Sequence, residues 1–436
     1  TPPYVWISNQ AGNNGVLFGD LNVRAVKDKN DNIISDGRPS LGFTGNMDTY
    51  KPAEGSATRS DIAITDPDFK YPSLWKSNIA ADYKFGDGWV ATIELLYSKD
   101  INAIYHDNIG LYRTEQFVND GGAGNARPYY NGYYSDREGN QKAANHVVML
   151  RNTSKGHSLY TTFQLQKNFV DGILKGLYLN GSYSFGQSRG VTDGTSSVAT
   201  SAWKYRAALD GNAEEVGYTA GSFDGRLLLS ASYTANWSKY AATSFGLIYQ
   251  RYRPFRYSYC YNGDANGDSQ FSNDLMYIPA NFDEVKDHLL PGDFDSQEDA
   301  WKAMNAFIEQ DPYLSKHRGE YAERNGAVAP FANQLDLSVS HDIKIYQKNG
   351  RSHTLRFSFN IANFLNLLNR NWGVVQTTVL GNQQYQFLTI PKGQGPSAAN
   401  NYTLKYTMAK DLDETFKDNL NDVSRWQMQF GIKYIF

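Results

Sequence analysis

The chain closes on a strict alternation. From Arg425 it runs RWQMQFGIKYIF, which puts Trp426, Met428, Phe430, Ile432, Tyr434 and Phe436 on one side of an extended strand. Arg425, Gln427, Gln429, Gly431, Lys433 and Ile435 fall on the other. Successive side chains of a strand point to opposite faces, so this segment predicts a sheet with one aromatic-rich apolar face and one polar face. A soluble sandwich buries such an apolar face in a core; a transmembrane barrel shows it to lipid and turns the polar face to a wet lumen.

The same pattern recurs in pairs about short turns. Ile79, Ala81, Tyr83 and Phe85 alternate with polar residues up to Gly86-Asp87-Gly88, and the chain returns through Trp89, Ala91, Ile93, Leu95 and Tyr97. Two alternating runs about a Gly-rich turn predict a hairpin. A second hairpin is predicted over 159–185 with its turn near Asp171-Gly172, and a third over 226–250 with its turn near Ser238-Lys239. A fourth pairs Leu335, Leu337, Val339 and Ile343 with Leu355, Phe357, Phe359 and Ile361 across Asn349-Gly350. Weaker strands are expected at Trp372–Leu380 and Tyr385–Ile390, for about eleven strands in all.

Long polar stretches separate the hairpins, at 99–156, 188–223, 257–330 and 391–423. They are far longer than the connections of compact domains. One helix is expected in them near Glu298–Glu309, carrying Trp301, Met304, Ala306 and Ile308 and ending at Asp311-Pro312. Residues 1–70 are rich in Gly, Asn, Asp and Pro and read as a loop region with at most one short strand or hairpin. Every short turn has the same parity along the chain, so all short turns are expected at one end of the sheet. That asymmetry is the arrangement of an outer-membrane barrel, with short periplasmic turns and long extracellular loops. An odd strand count leaves an unpaired edge, which lipid does not tolerate. The expected fold is therefore all-β: the C-terminal part of an antiparallel transmembrane barrel of ~22 strands.

Composition removes other classes. The formal net charge of −3 argues against a nucleic-acid partner. The mean hydropathy is −0.56, and no stretch approaches the ~18 apolar residues of a membrane helix. Cys260 is the single cysteine, so the chain holds no internal disulfide and no cysteine-based zinc cluster. The seven histidines form no HExxH, and no G-x-S-x-G elbow occurs, so no catalytic residues are assigned and no enzyme is expected.

Two constellations carry chemistry. Asp264, Asn266, Asp268 and Gln270 offer oxygens at alternate positions, as at the start of a calcium loop, with Asp274 as closing carboxylate. Ser269 stands where such a loop has Gly, and Leu275 where it has Glu. Without a cation the same residues make an Asx-rich turn. Tyr129, Tyr130, Tyr133 and Tyr134 form one aromatic cluster, and Tyr257, Tyr259 and Tyr261 another. Exposed aromatic faces stack on sugars or grip peptides, whereas buried ones pack loop on loop.

The chain resembles the C-terminal barrel region of TonB-dependent outer-membrane receptors, in particular Oar-like and SusC-like transporters. The resemblance is carried by ITDPDFKYPSLWKSNIAADYKF at Ile64–Phe85, NGDANGDSQFSNDLMYIP at Asn262–Pro279, NFLNLLNRNWG at Asn363–Gly373 and the strand ending in Phe436. It implies outer-membrane localisation and energy-coupled uptake of a glycan or peptide ligand. The implied partners are an N-terminal plug and barrel half absent from this chain, the TonB complex, a surface lipoprotein and the lipid bilayer. It also implies that Trp426, Phe430, Tyr434 and Phe436 serve as an assembly signal. A passive porin or surface adhesion barrel is the alternative, and a soluble sugar-binding β-protein a third reading.

Overall fold

The computed structural model describes residues 61–122, 126–133, 146–194, 196–346, 352–381 and 384–436, together with two short paired strands at Val26–Lys27 and Ile33–Ser35. Nine long strands follow one another in chain order. They are β1 (Leu74–Lys84), β2 (Trp89–Asp100), β3 (His157–Asn168), β4 (Leu177–Gly190), β5 (Arg226–Ser238), β6 (Ala241–Tyr252), β7 (Ala332–Tyr346), β8 (Ser352–Ala362) and β9 (Gln427–Ile435). Each pairs antiparallel with its chain neighbour, in the order β1 to β9. β1 and β9 are the ends of this path, and among the described residues no pairing closes it. All four long connections leave one end of the sheet and the short turns lie at the other.

Alternation fixes the register. Leu179, Ala231, Leu247, Leu337, Ile361 and Met428 stand opposite one another in a single row across six strands. A one-residue slip would move every one of them to the other face, so the apolar pattern holds the pairing in place. The opposite face is a ladder of polar pairs: Asn78 on Glu94 (2.8 Å), Thr162 on Ser184 (2.9 Å), Gln164 on Asn180 (2.8 Å), Gln250 on Gln334 (2.9 Å) and Ser338 on Asn360 (2.7 Å). The apolar face is uncovered. Ile79, Tyr83, Phe163, Phe430 and Ile432 are all exposed, at 67%, 70%, 47%, 66% and 62%. Its two ends are aromatic. Trp75 packs on Tyr97 near the long connections, and Tyr83, Phe85 and Trp89 stack near the short turns.

Two expectations are corrected. Among the described residues the sheet has nine long strands, with the two-residue strand Gly217–Tyr218 paired at the end of β4, because the segments expected as strands at 372–390 enter the sheet nowhere. They form fragments of two or three residues, Gln376–Thr378, Gln384–Tyr385 and Leu388–Thr389, among the long connections. Nor are those connections loose polar loops. They fold on one another into a cap with the main hydrophobic core of the chain, built from Tyr257, Tyr259, Phe307, Tyr385, Phe387 and Tyr406 among others. The turn at Asn349-Gly350 lies outside the described residues.

Helix α1 (Ala199–Lys204), helix α2 (Gln297–Gln310) and helix α3 (Phe364–Leu368) belong to the cap or its junction with the sheet. α2 begins where Ser296 accepts the Asp299 N–H (3.0 Å), which satisfies one of the helix's unpaired donors. It buries Ala300, Met304, Phe307 and Ile308, one stripe at helical spacing. No described helix is long and apolar enough to cross a membrane.

Candidate functional site

The Asp264 loop is built by its own side chains. Asp264 Oδ1 accepts the N–H of Asn266 (3.2 Å) and of Gly267 (2.6 Å), and Oδ2 accepts that of Ser269 (2.8 Å). Asn266 Oδ1 then accepts the Asp268 N–H (2.9 Å), and Asp268 Oδ1 the Gln270 N–H (2.8 Å). These are successive Asx turns, each curling the chain about the carboxylates. Ser269 has φ +66°, so the backbone takes the left-handed turn that a calcium loop assigns to Gly. Asp274 closes the loop from the far side: Oδ2 accepts the Ala265 N–H (2.8 Å) and Oδ1 faces Arg127 Nη1 at 3.2 Å. Leu275, at the place of the usual Glu, is buried in the cap core.

Charge is unbalanced around this loop. Burial raises the carboxyl pKa of Asp264, carries that of Asp268 well above the carboxylate range, and lifts Asp274 to about 7. The neighbouring carboxylates push the same way. Arg127 counters Asp274, but its guanidinium is shared with Asp120 (2.9 Å) and with the Leu275 carbonyl. Among the described residues no three His, Cys, Asp or Glu side chains converge on a ready-made metal position.

Five of the seven tyrosines weighed as ligand contacts are buried and offer no exposed face, which corrects that expectation for them. Tyr257, Tyr259 and Tyr261 are fully buried, as is Tyr130, and Tyr129 is nearly so. Tyr259 donates its hydroxyl to Asp311 (2.6 Å), a carboxylate that also accepts from Thr415 (2.7 Å) and from the N–H of Leu314 (2.8 Å). Tyr130 donates to Asp210 (2.7 Å), and Tyr129 packs on Tyr402 at 4.8 Å. Tyr133 meets His146, while Tyr134 lies outside the described residues. These rings hold the cap together. Of the terminal residues, Trp426, Phe430, Tyr434 and Phe436 are all exposed on the apolar face, Phe436 at 91%.

The sequence reading missed a recess beside the Asp264 loop. It holds about 440 Å³ between Gly263, Gly267 and Phe271 on one side and Ile390, Pro391 and Lys392 on the other. Phe271 is exposed there, flanked by Ser269 and Ser272 in left-handed backbone, φ +66° and +81°. Non-glycine residues in that region are strained, and such strain concentrates at binding sites. The only local signal was the run of small residues around Phe271. Also missed were two separate buried histidines, His106 and His146, whose pKa values burial lowers to about 4.

No family model and no curated protein matches the chain. Among solved structures it is similar to the FrpB iron transporter from Neisseria meningitidis (F3-3 variant), at 9% identity and a TM-score of 0.20 over 72% of this chain. The chain spans 38% of the length of that transporter. A likeness of this size carries no argument about fold or function.

Proposed function

We propose that the nine strands are part of an outer-membrane β-barrel of a nutrient-uptake receptor, with the cap on the extracellular side. The observation that carries this reading is the uncovered apolar face. It runs across the sheet opposite a self-paired polar ladder, with aromatic rings at both ends. A soluble sheet of this size would leave that face in water at a cost of about 25 cal/mol per Å²; lipid removes the cost and a lumen hydrates the ladder. The two free edges, β1 and β9, call for further strands to complete the wall, since a sheet edge cannot face hydrocarbon. Energy coupling through TonB, a plug, and a surface lipoprotein rest on the resemblance noted in the sequence. Ligand capture, of a glycan or a peptide, falls to the cap, where Phe271 and its recess replace the buried tyrosines as the contact surface.

A paired substitution tests the membrane reading. Phe163 and Gln164 are neighbours near the middle of β3 and point to opposite faces. Phe163→Arg is expected to destabilise the protein in bilayers by about 2–4 kcal/mol, the depth-dependent cost of arginine on a lipid face, and Gln164→Arg to change it little. The measurement is denaturant unfolding from vesicles. Equal costs for the two variants would remove the membrane assignment.

We further propose that the Asp264 loop takes calcium, with Asp264, Asn266, Asp268 and Gln270 supplying oxygens and Asp274 bracing the loop. The support is three carboxylates, Asp268 and Asp274 buried and Asp264 half-buried, set against one shared guanidinium, together with a loop already curled about them. Calcium would displace the protons that burial retains there, so its affinity is expected to rise from pH 5 to pH 8. Calorimetric titration of the protein and of the Asp264→Ala/Asp268→Ala variant checks this. Identical heats in the two would end the cation reading.

A further inference from the structure

We infer that the turn between β3 and β4 is an anchor in the phospholipid interface, seated among headgroups and the first acyl carbons beside the sheet. The inference rests on the membrane reading of the sheet and adds a surface which that reading does not need. Val170, Ile173 and Leu174 are 60%, 98% and 49% exposed. The turn holding them is well defined. Phe169 N–H donates to the Leu177 carbonyl (2.9 Å), Gly176 N–H to the Phe169 carbonyl (2.9 Å) and Leu177 N–H to the Leu174 carbonyl (2.9 Å). Gly172 and Gly176 take the positive φ values, +71° and +89°, that the turn requires. The aliphatic side chains are thus displayed by a closed backbone and are not folded back on the sheet. The other short turns described differ: one is Gly86-Asp87-Gly88 and another centres on Lys239 and Tyr240.

The surroundings point to lipid and not to a protein partner. At the base of the turn the Lys167 ammonium lies 5.3 Å from the centre of the Trp89 ring and 5.1 Å from that of Phe169, and it donates to the Asp87 carbonyl. Lys167 is itself buried under these rings and that carbonyl, so indole, phenyl and ammonium pack together at the base of the turn, and aromatic rings of this kind gather at the membrane–water boundary. Phe169 joins this cluster to the turn, and the exposed Lys175 adds a cation for phosphate. The apolar tip is continuous with the uncovered face of β3 and β4, through Leu165 and Leu179. Apolar side chains flanked by lysine at a membrane boundary insert into the interface.

The test places an environment-sensitive nitrobenzoxadiazole label at Ile173→Cys, with a second label at Phe163→Cys on the lipid-facing side of β3. Cys260 is fully buried and its thiol is pushed up by burial, so it does not take the label. The protein is reconstituted in vesicles of phosphatidylethanolamine and phosphatidylglycerol, with brominated phospholipid and aqueous iodide as quenchers. The expected result is that brominated lipid removes most of the emission at both positions and iodide spares both. Emission at Ile173 that iodide quenches and lipid does not, with Phe163 still quenched by lipid, overturns the anchor and leaves the membrane reading intact. Lipid quenching at neither position overturns both.

Discussion

Replacing Arg127 by Met is expected to cost the cap about 3–5 kcal/mol, because it leaves buried carboxylates without their counter-charge. The guanidinium is wholly buried, ion-paired to Asp120 and Asp274 and bonded to the Leu275 carbonyl. It also sits 5.6 Å and 5.8 Å from the centres of the Tyr261 and Tyr321 rings. Met restores the packing volume but none of these bonds. The loss should depend on pH. Asp274 already holds its proton up to about 7 with Arg127 present, and without it the folded-state pKa rises further. A carboxyl whose folded pKa lies above its unfolded value loses stability as pH rises from the unfolded value through the folded one. The variant is therefore expected to come closest to the parent near pH 4 and to fall furthest behind above pH 7. Thermal or denaturant unfolding across that range reads it, and a penalty that does not change with pH would show that the carboxylates are neutralised in another way.

Phe307→Ala is expected to be as damaging, at about 3–5 kcal/mol, the range for truncating a buried aromatic side chain. Phe307 projects from α2 into the middle of the cap core, 4.8 Å from the ring of Phe387 and 6.1 Å from that of Tyr385. It links α2 to a segment some eighty positions away, so the cavity opens at the joint between two of the long connections. Phe307→Leu should recover a large part of the loss by refilling the space. Proteolysis within 257–330 gives a direct reading: rapid cleavage in Phe307→Ala, with the sheet strands still protected. Simultaneous loss of cap and sheet would mean that the two unfold as one unit.

The sheet was legible because its chemistry repeats every two residues. In β7 and β8 the apolar positions of one strand meet those of the next, so Leu337 stands opposite Ile361 and Val339 opposite Phe359, as the alternation alone demands. α2 was legible for a similar local reason: of the expected stripe Trp301, Met304, Ala306 and Ile308, Met304 and Ile308 are buried, joined by Ala300 and Phe307 in place of Trp301 and Ala306. The Asp264 loop could be found because Asx turns are made by neighbours in sequence. The cap could not be. Apart from four strands of six or seven residues between Ala103 and Thr153, its strands are two to four residues long, and many pair across large separations, Tyr257 with Ala327, Ser258 with Gln384, Ile62 with Val147. Such segments carry no period to read. The run Tyr257-Ser258-Tyr259-Cys260-Tyr261 does alternate, yet both of its faces are buried, and alternation marks a half-exposed strand only when one side meets water. Arg127 left no trace at all, since one arginine in a Gly- and Asn-rich stretch looks like any solvated residue.

The interlocking of the cap has a kinetic consequence. Each long connection supplies part of a structure that the others complete. Ile62–Thr65 lies beside Val147–Thr153, Arg324 donates to the carbonyls of Gly190 and Val191, and Thr415 reaches Asp311. Hairpins of the sheet can zip by local contacts, whereas these closures join positions about a hundred residues apart and pay chain entropy before any contact rewards them. Maturation then has a natural order, with the strands registered first and the cap locking last. Until β9 docks, the fourth connection is tethered at one end alone, and the contacts of its Tyr385 with Tyr257, Tyr259 and Phe307 are the last to be secured.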